Sequence, residues 1–284
     1  MPKYLVINCE DSKAWTTAAD DGCGTFADMF RTKLSRVGDT WSSVNTAANG
    51  DEDTLSSLLD DAFDGVVITG SHYNIRDNRP WFASLCELIC TAAKEGYPRI
   101  YGGCFGCQII AHALGGRVDK NPNQTFILRA ESVTIDVTLL TRNLIPGYSS
   151  HHMMMRLLSL NESSCAESTT TATTLTLKLL ESHGDCVCDL PPEATHLGTS
   201  TSCVNEMFIA GKNNNILGCQ SHPEFDLQLC IYDRILPAVM KNRRLSEEER
   251  IAAVASFDGF VLDDSILMLD IISSFLHHEV REGV

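Results

Sequence analysis

Positive charge is what this chain has least of. Lys and Arg number 22 against 37 Asp and Glu, giving a formal net charge of −15 over 284 residues. So acidic a surface repels phosphate backbones, which argues against nucleic-acid binding as the main task. Long hydrophobic runs are missing too. No stretch approaches the roughly 20 apolar residues that span a bilayer, so no membrane association is expected. The opening MPKYLVINCED turns acidic at Glu10 and Asp11 after a short apolar run, too early for a secretory signal. Twelve cysteines spread over this length are too sparse for a secreted disulfide scaffold. Most are expected to be reduced, buried thiols in a cytosolic protein. Hydrophobic residues, at 44%, suffice for a sizeable core.

The first 120 residues alternate strand-like and helix-like segments. Tyr4–Asn8 reads as a buried strand. Thr25 can cap a helix through Phe26, Met29, Phe30, Leu34 and Val37, stopped by Gly38. Strands are expected at Trp41–Thr46, Gly65–Thr69 and Arg99–Gly102, and helices over Leu55–Phe63 and from Pro80 to Gly96. This order predicts a mostly parallel α/β sheet flanked by helices. The second half reads as strands at Thr134–Leu140, Thr174–Leu180, His196–Ser202, Val204–Ala210 and Ile216–Gln220, with a hairpin signal at Asn213–Asn215. These predict a small antiparallel portion. Helical patterns follow over Leu227–Met240, Glu247–Ala255 and Ser265–Leu276. One domain over residues 1–240 is therefore expected, with a helical extension over 241–284 packed upon it. Between Ser159 and Thr176, 10 of 18 residues are Ser or Thr, read as a surface insertion.

Gly102-Gly103-Cys104-Phe105-Gly106-Cys107-Gln108 follows a predicted strand and opens a predicted helix. This is the G-x-C-x-G form of the nucleophile elbow, in which a sharp turn strains the nucleophile and glycines permit close approach of neighbouring backbone. At a helix N-terminus the dipole and free N–H groups favour a thiolate. Cys104 and Cys107 also spell C-x-x-C, a redox motif, but one that normally sits at a chain's first strand–helix junction. Metal binding is not expected, since Cys186 and Cys188 are too closely spaced to chelate well. A thiol nucleophile needs a base, and the base an orienting group. His222-Pro223-Glu224, at the end of a predicted strand, offers both on a turn that proline stiffens.

With both segments in hand, the sequence resembles the class I, triad-type glutamine amidotransferases, whose signatures are G-x-C-x-G-x-Q and H-P-E. Two further segments match in family order: Glu181-Ser182-His183-Gly184-Asp185 and Gly70-Ser71-His72. The resemblance runs from about residue 4 to about residue 240 and implies a flavodoxin-like fold. It makes Cys104 the nucleophile, His222 the general base and acid, and Glu224 its orienter. The amides of Gly70 and Phe105 would form the oxyanion hole, and Gln108 with Ser182, His183 and Gly184 would bind the glutamyl end. It implies no cofactor. Two positions depart from the pattern. Cys107 stands where members often carry His, which suggests sensitivity to oxidation, and Ser221 replaces the Gly common before the base.

No P-loop or Ser-Gly-Gly-rich nucleotide motif follows residue 226, so a synthetase in the same chain is not expected. The segment GSHYNIRDNRPW and the helical extension look more like the stand-alone branch that includes the plant γ-glutamyl peptidases. The resemblance then implies a cysteine-dependent hydrolase acting on a small molecule, glutamine or a γ-glutamyl peptide, through a γ-glutamyl thioester. Two alternatives stand beside it: an ammonia-supplying subunit for a separate synthetase, and a non-catalytic or redox-regulatory protein. His72 and the remaining histidines carry no assignment.

Overall fold

The computed structural model describes residues 1–12, 15, 24–49, 62–144 and 174–277. Most of the helix expected over Leu55–Phe63 and most of the Ser/Thr-rich stretch lie outside them. Within the described residues the elements are β1 (Lys3–Asn8), α1 (Phe26–Leu34), β2 (Thr40–Asn45), α2 (Thr46–Asn49) and β3 (Gly65–Ile68). There follow α3 (Trp81–Glu95), β4 (Arg99–Gly103), α4 (Phe105–Ala113), β5 (Arg117–Lys120), β6 (Ile127–Asp136) and α5 (Val137–Leu144). The strands β7 (Thr174–His183), β8 (Asp185–Asp189), β9 (Thr195–Thr199), β10 (Met207–Ala210) and β11 (Ile216–Cys219) complete the sheets. A π-helix (Leu227–Ile235) then leads into α6 (Leu236–Lys241), α7 (Glu247–Phe257) and α8 (Leu262–Leu276).

Nine strands form one sheet in the order β2-β1-β3-β4-β11-β10-β9-β6-β7. From β2 to β11 the neighbours run parallel, and from β11 onward antiparallel. The parallel strands lie between helical layers and read as unbroken apolar runs for that reason. Val66, Val67 and Ile68 are buried, and each such side chain contributes about 1.5–3 kcal/mol. The core accordingly lies on both faces of the parallel strands.

Local chemistry sets most boundaries. Thr25 closes a capping box with Asp28, fixing the start of α1. That helix stops at Leu34, however, and Val37 is fully exposed: Ser35 turns to extended backbone one turn before Gly38 is reached. Gly96, with φ of +79°, terminates α3 as expected. Strand β6 ends at Asp136, and Val137–Leu140, expected to be strand, is the first turn of α5. Asp136 accepts from the Leu139 N–H and starts that helix, overriding the β-branched composition. Strands β5 and β8 went unforeseen; they pair only with each other, and β5 is too charged to show an apolar period. Among the described residues no helix is long and apolar enough to cross a membrane.

Candidate active site

Strands β4 and β11 are parallel neighbours, with Gly103 opposite Cys219. Their carboxyl ends therefore deliver two loops to the same edge: Cys104 from β4, and the Gln220-Ser221-His222 turn from β11. The Cys104 N–H donates to the Cys219 carbonyl at 2.9 Å, joining the two directly. Open α/β sheets place their sites at this edge.

Cys104 has φ of +50° and ψ of −105°, a strained conformation for a residue with a side chain, and caps α4. The surrounding glycines make the turn feasible. A Cβ on Gly102 would come within 2.5 Å of the Gly106 backbone, and one on Gly106 would run into the Ile68 carbonyl oxygen. The sulfur faces a cleft of about 350 Å³, lined also by Ser182, His222, Phe126 and Trp15. It lies 3.8 Å from the Ser182 carbonyl and shares the cleft with the His222 ring.

His222 is held on every side. Its Nδ1 is 2.7 Å from Glu224 Oε1, and its backbone N–H donates to the Leu180 carbonyl at 2.8 Å. Its ring stacks on Phe225 at 4.0 Å, and Phe225 in turn stacks on Trp15. Burial alone would lower the imidazole pKa, but the charges and hydrogen bonds of Glu224 and Cys104 prevail and raise it to about 10. The raised value favours the imidazolium at neutral pH, beside the Cys104 sulfur and the Glu224 carboxyl. That is an arrangement able to give a proton to a leaving group and then, once neutral, to take one from an attacking water.

The other predicted site residues separate into two sets. Gly70 stands against the base: a Cβ there would lie 3.1 Å from His222 Cε1. Phe105 is the first residue of α4, where backbone N–H groups lack intrahelical partners. Ser182 lines the cleft. Gln108, His183 and Gly184 do not. Gln108 is buried and donates to the Asp185 carbonyl and to Gln220 Oε1, tying α4 to β8 and to the turn after β11. His183 is buried between the Asp185 carbonyl and Ser202 Oγ, and burial drops its pKa to about 3. The Gly184 carbonyl accepts from Asn121. Cys107 is fully buried and its thiol is pushed well above the ordinary value, chiefly by burial, so the oxidation-prone second thiol suggested by its position is not favoured.

Four ionisable cleft residues had been given no role from the sequence. Glu10 and His72 sit just beyond the ends of β1 and β3, the same sheet edge, and their position was the available signal. They meet at 2.6 Å. Burial would raise the Glu10 carboxyl, but His72 and the Ser12 N–H outweigh it and hold the group below its usual range. With Asp11 they bring carboxylate and ring-nitrogen atoms within 4.8 Å of one another, although Glu10 and His72 already satisfy each other. Arg234, from the π-helix, and Arg244, after α6, line the facing wall. Arg244 lies over the Phe126 ring at 5.5 Å and is exposed. Sequence periodicity marked these segments only as helical.

Residues 25–229 match the family Glutamine amidotransferase class-I. Gamma-glutamyl peptidase 3 of Arabidopsis thaliana is 26% identical over 258 residues, covering 89% of each chain. YLR126C of Saccharomyces cerevisiae, itself provisionally named a glutamine amidotransferase, is 30% identical over 175 residues, which are 61% of this chain and 57% of that one. A solved glutamine amidotransferase from Thermotoga maritima superposes with a TM-score of 0.57 at 18% identity, over 97% of this chain and 96% of the other, a likeness of fold. With the profile spanning most of its length and the fold in agreement, the chain belongs to the class I glutamine amidotransferase family, and its relatives include the γ-glutamyl peptidases.

Proposed function

We propose that this protein hydrolyses the γ-glutamyl amide bond of γ-glutamyl peptides, using Cys104 as nucleophile, His222 as acid and base, and Glu224 to orient His222. The observation that carries this reading is that Cys104 and His222 line one cleft, with Glu224 held 2.7 Å from His222 Nδ1. Cys104 attacks the γ-carbonyl carbon as a thiolate paired with the His222 imidazolium, and the resulting oxyanion takes hydrogen bonds from the Gly70 and Phe105 amides. Losing one such donor costs about 3 kcal/mol of barrier. His222 passes its proton to the amide nitrogen as the C–N bond breaks, leaving a γ-glutamyl thioester and a free amine. A water molecule then gives a proton to His222 and attacks the thioester. The C–S bond breaks, glutamate departs, and the sulfur and imidazolium are restored.

The cleft's facing wall favours an amine larger than ammonia. It is mostly apolar, with Phe126, Ile235, Ala238 and Val239, and carries Arg244 at the mouth. An amino-acid or peptide leaving group offers both an apolar body and a carboxylate for such a wall. The test is a panel of γ-glutamyl amides and peptides against the wild type and Cys104→Ala. Glutamate release from γ-glutamyl peptides is expected, reduced about a thousandfold or more in Cys104→Ala. Arg244→Ala is expected to raise KM about tenfold for peptides ending in a free carboxylate, the scale of one charge-assisted hydrogen bond, and much less for glutamine. Glutamine turnover that appears only when a separate synthetase is added would favour the ammonia-supplying alternative and sink this one.

A further inference from the structure

Behind the cleft, three glutamates are buried together: Glu131 on β6, Glu181 on β7 and Glu206 just before β10. Two are satisfied. Glu131 accepts from the Ser202 N–H at 3.0 Å, the Ser202 hydroxyl at 2.5 Å and Arg129 at 3.0 Å. Glu206 accepts from the Ser221 N–H at 2.8 Å and the Ser200 hydroxyl at 3.1 Å. Glu181 differs. It is wholly buried, and no N–H or O–H of another residue satisfies either of its oxygens. His183 Nε2 is 3.6 Å from it, outside hydrogen-bond reach, and is occupied by Ser202. Burial aside, the Glu206 carboxyl is the group that acts on Glu181 most strongly. Two carboxyl groups in contact hold together only when one supplies a proton.

We propose that Glu181 and Glu206 share one proton and together position the catalytic couple: neutral Glu181 donates its O–H to the Glu206 carboxylate, which grips the backbone just before His222. The geometry gives this contact its reach. The residues flanking Glu181 are those that touch the couple, since the Leu180 carbonyl accepts from the His222 N–H and the Ser182 carbonyl faces the Cys104 sulfur. Glu206 holds the His222 turn from the other side, through the Ser221 N–H and through its own carbonyl, which accepts from the Gln220 N–H at 2.9 Å. The pair thus joins β7 to the turn that carries the base.

The surroundings favour Glu181 as the proton's holder. Burial raises both groups. Glu181 also faces the charges of Glu206, Glu131 and Cys104, whereas hydrogen bonds from Ser200 and Ser221 pull Glu206 back down. Arg129, on β6 with Glu131, is engaged by that carboxylate. The consequence for stability has a definite sign. A carboxyl whose folded pKa is raised contributes stability that is complete below its unfolded value, about 4.3, and lost as pH rises toward the folded value. Above that point two carboxylates face each other, and β7 is driven from the His222 turn.

This inference rests on the proposed roles of Cys104 and His222 only for its consequences in catalysis, so its test reads two properties that need no substrate turnover. The first is the urea midpoint between about pH 5 and pH 9 for wild type, Glu181→Gln and Glu206→Gln. A glutamine amide supplies the shared hydrogen permanently, so the wild-type midpoint should fall as pH rises and that fall should shrink in either variant. The second is the iodoacetamide alkylation rate of Cys104, followed on its own peptide by mass spectrometry. Glu181→Leu should slow it about tenfold, while Glu181→Gln should recover most of that loss. Identical pH dependence of the midpoint in wild type and Glu181→Gln overturns the proposal. So does an equal alkylation rate in the Leu and Gln variants, or failure of both single glutamine variants to fold. Failure of the γ-glutamyl assay alone would leave these readouts standing and would count against the substrate reading instead.

Discussion

At the scale of single residues, the site depends on an imidazole kept protonated by two neighbours. Burial works against the charge on His222, and Glu224 and Cys104 restore it, to a pKa of about 10. The sign for activity follows. A charged His222 can protonate the departing amine, so kcat/KM should hold as pH rises through neutrality and fall only near pH 10. Glu224→Gln removes the larger of the two supports and should move that alkaline limb at least about one unit lower. A pH profile of the two proteins decides it; an unmoved limb would mean that Glu224 does not govern the imidazole. Cys104, His222 and Glu224 were proposed directly from GGCFGCQ and SHPEF, because turn chemistry and a candidate nucleophile lie within a few residues of one another. Glu181 could not, since its partner lies 25 positions away in the chain and neither residue belongs to a turn signal.

At the scale of elements, the β4–α4 junction is the part with least tolerance. The Gly106 backbone passes so close to Ile68 that no side chain fits between α4 and β3. Gly106→Ala should therefore cost about 1–3 kcal/mol of stability by overpacking, and should reduce kcat more than it raises KM, because the displaced element carries the Cys104 sulfur. Denaturant midpoints and steady-state kinetics of the one variant measure both effects. Elements marked by strong local signals, such as the capped start of α1, the Gly96 stop and the hairpin between β10 and β11, formed where expected. Elements without such signals did not. Residues 137–140 carry the β-branched and apolar composition of a strand but follow a capping Asp136, and β5 exists only because β8 lies beside it.

At the scale of the whole molecule, the C-terminal helices are packed into the same body as the sheet. From α8, Leu267, Met268, Ile271, Ile272, Phe275 and Leu276 enter the core shared with α1 and β7, and Phe275 lies beneath the Arg99 guanidinium of β4 at 5.0 Å. We expect residues 1–240 and 241–284 to unfold as one cooperative unit. Phe275→Ala should then destabilise the whole protein by about 3–5 kcal/mol, with far-UV and tryptophan-fluorescence transitions remaining coincident. Two separated transitions would show the extension to be independent. The π-helix and α6 carry the cleft wall, with Arg234 on the first and Arg244 in the turn after the second, so the segment that joins the sheet to the C-terminal helices also shapes the entrance to the site.

The sequence by itself determined the family and the parallel α/β order of its first half, and it nominated the three residues proposed for the chemical centre, because each is written in short-range patterns of turn, cap and nucleophile. Only the tertiary structure decided which side chains face the cleft. It set Gln108 and His183 behind the wall, brought Glu10, His72 and Arg244 onto it, and buried Glu131, Glu181 and Glu206. Those placements arise from strand order and crossing loops, which bring together residues that share no local period, and no window of sequence encodes the distance between them.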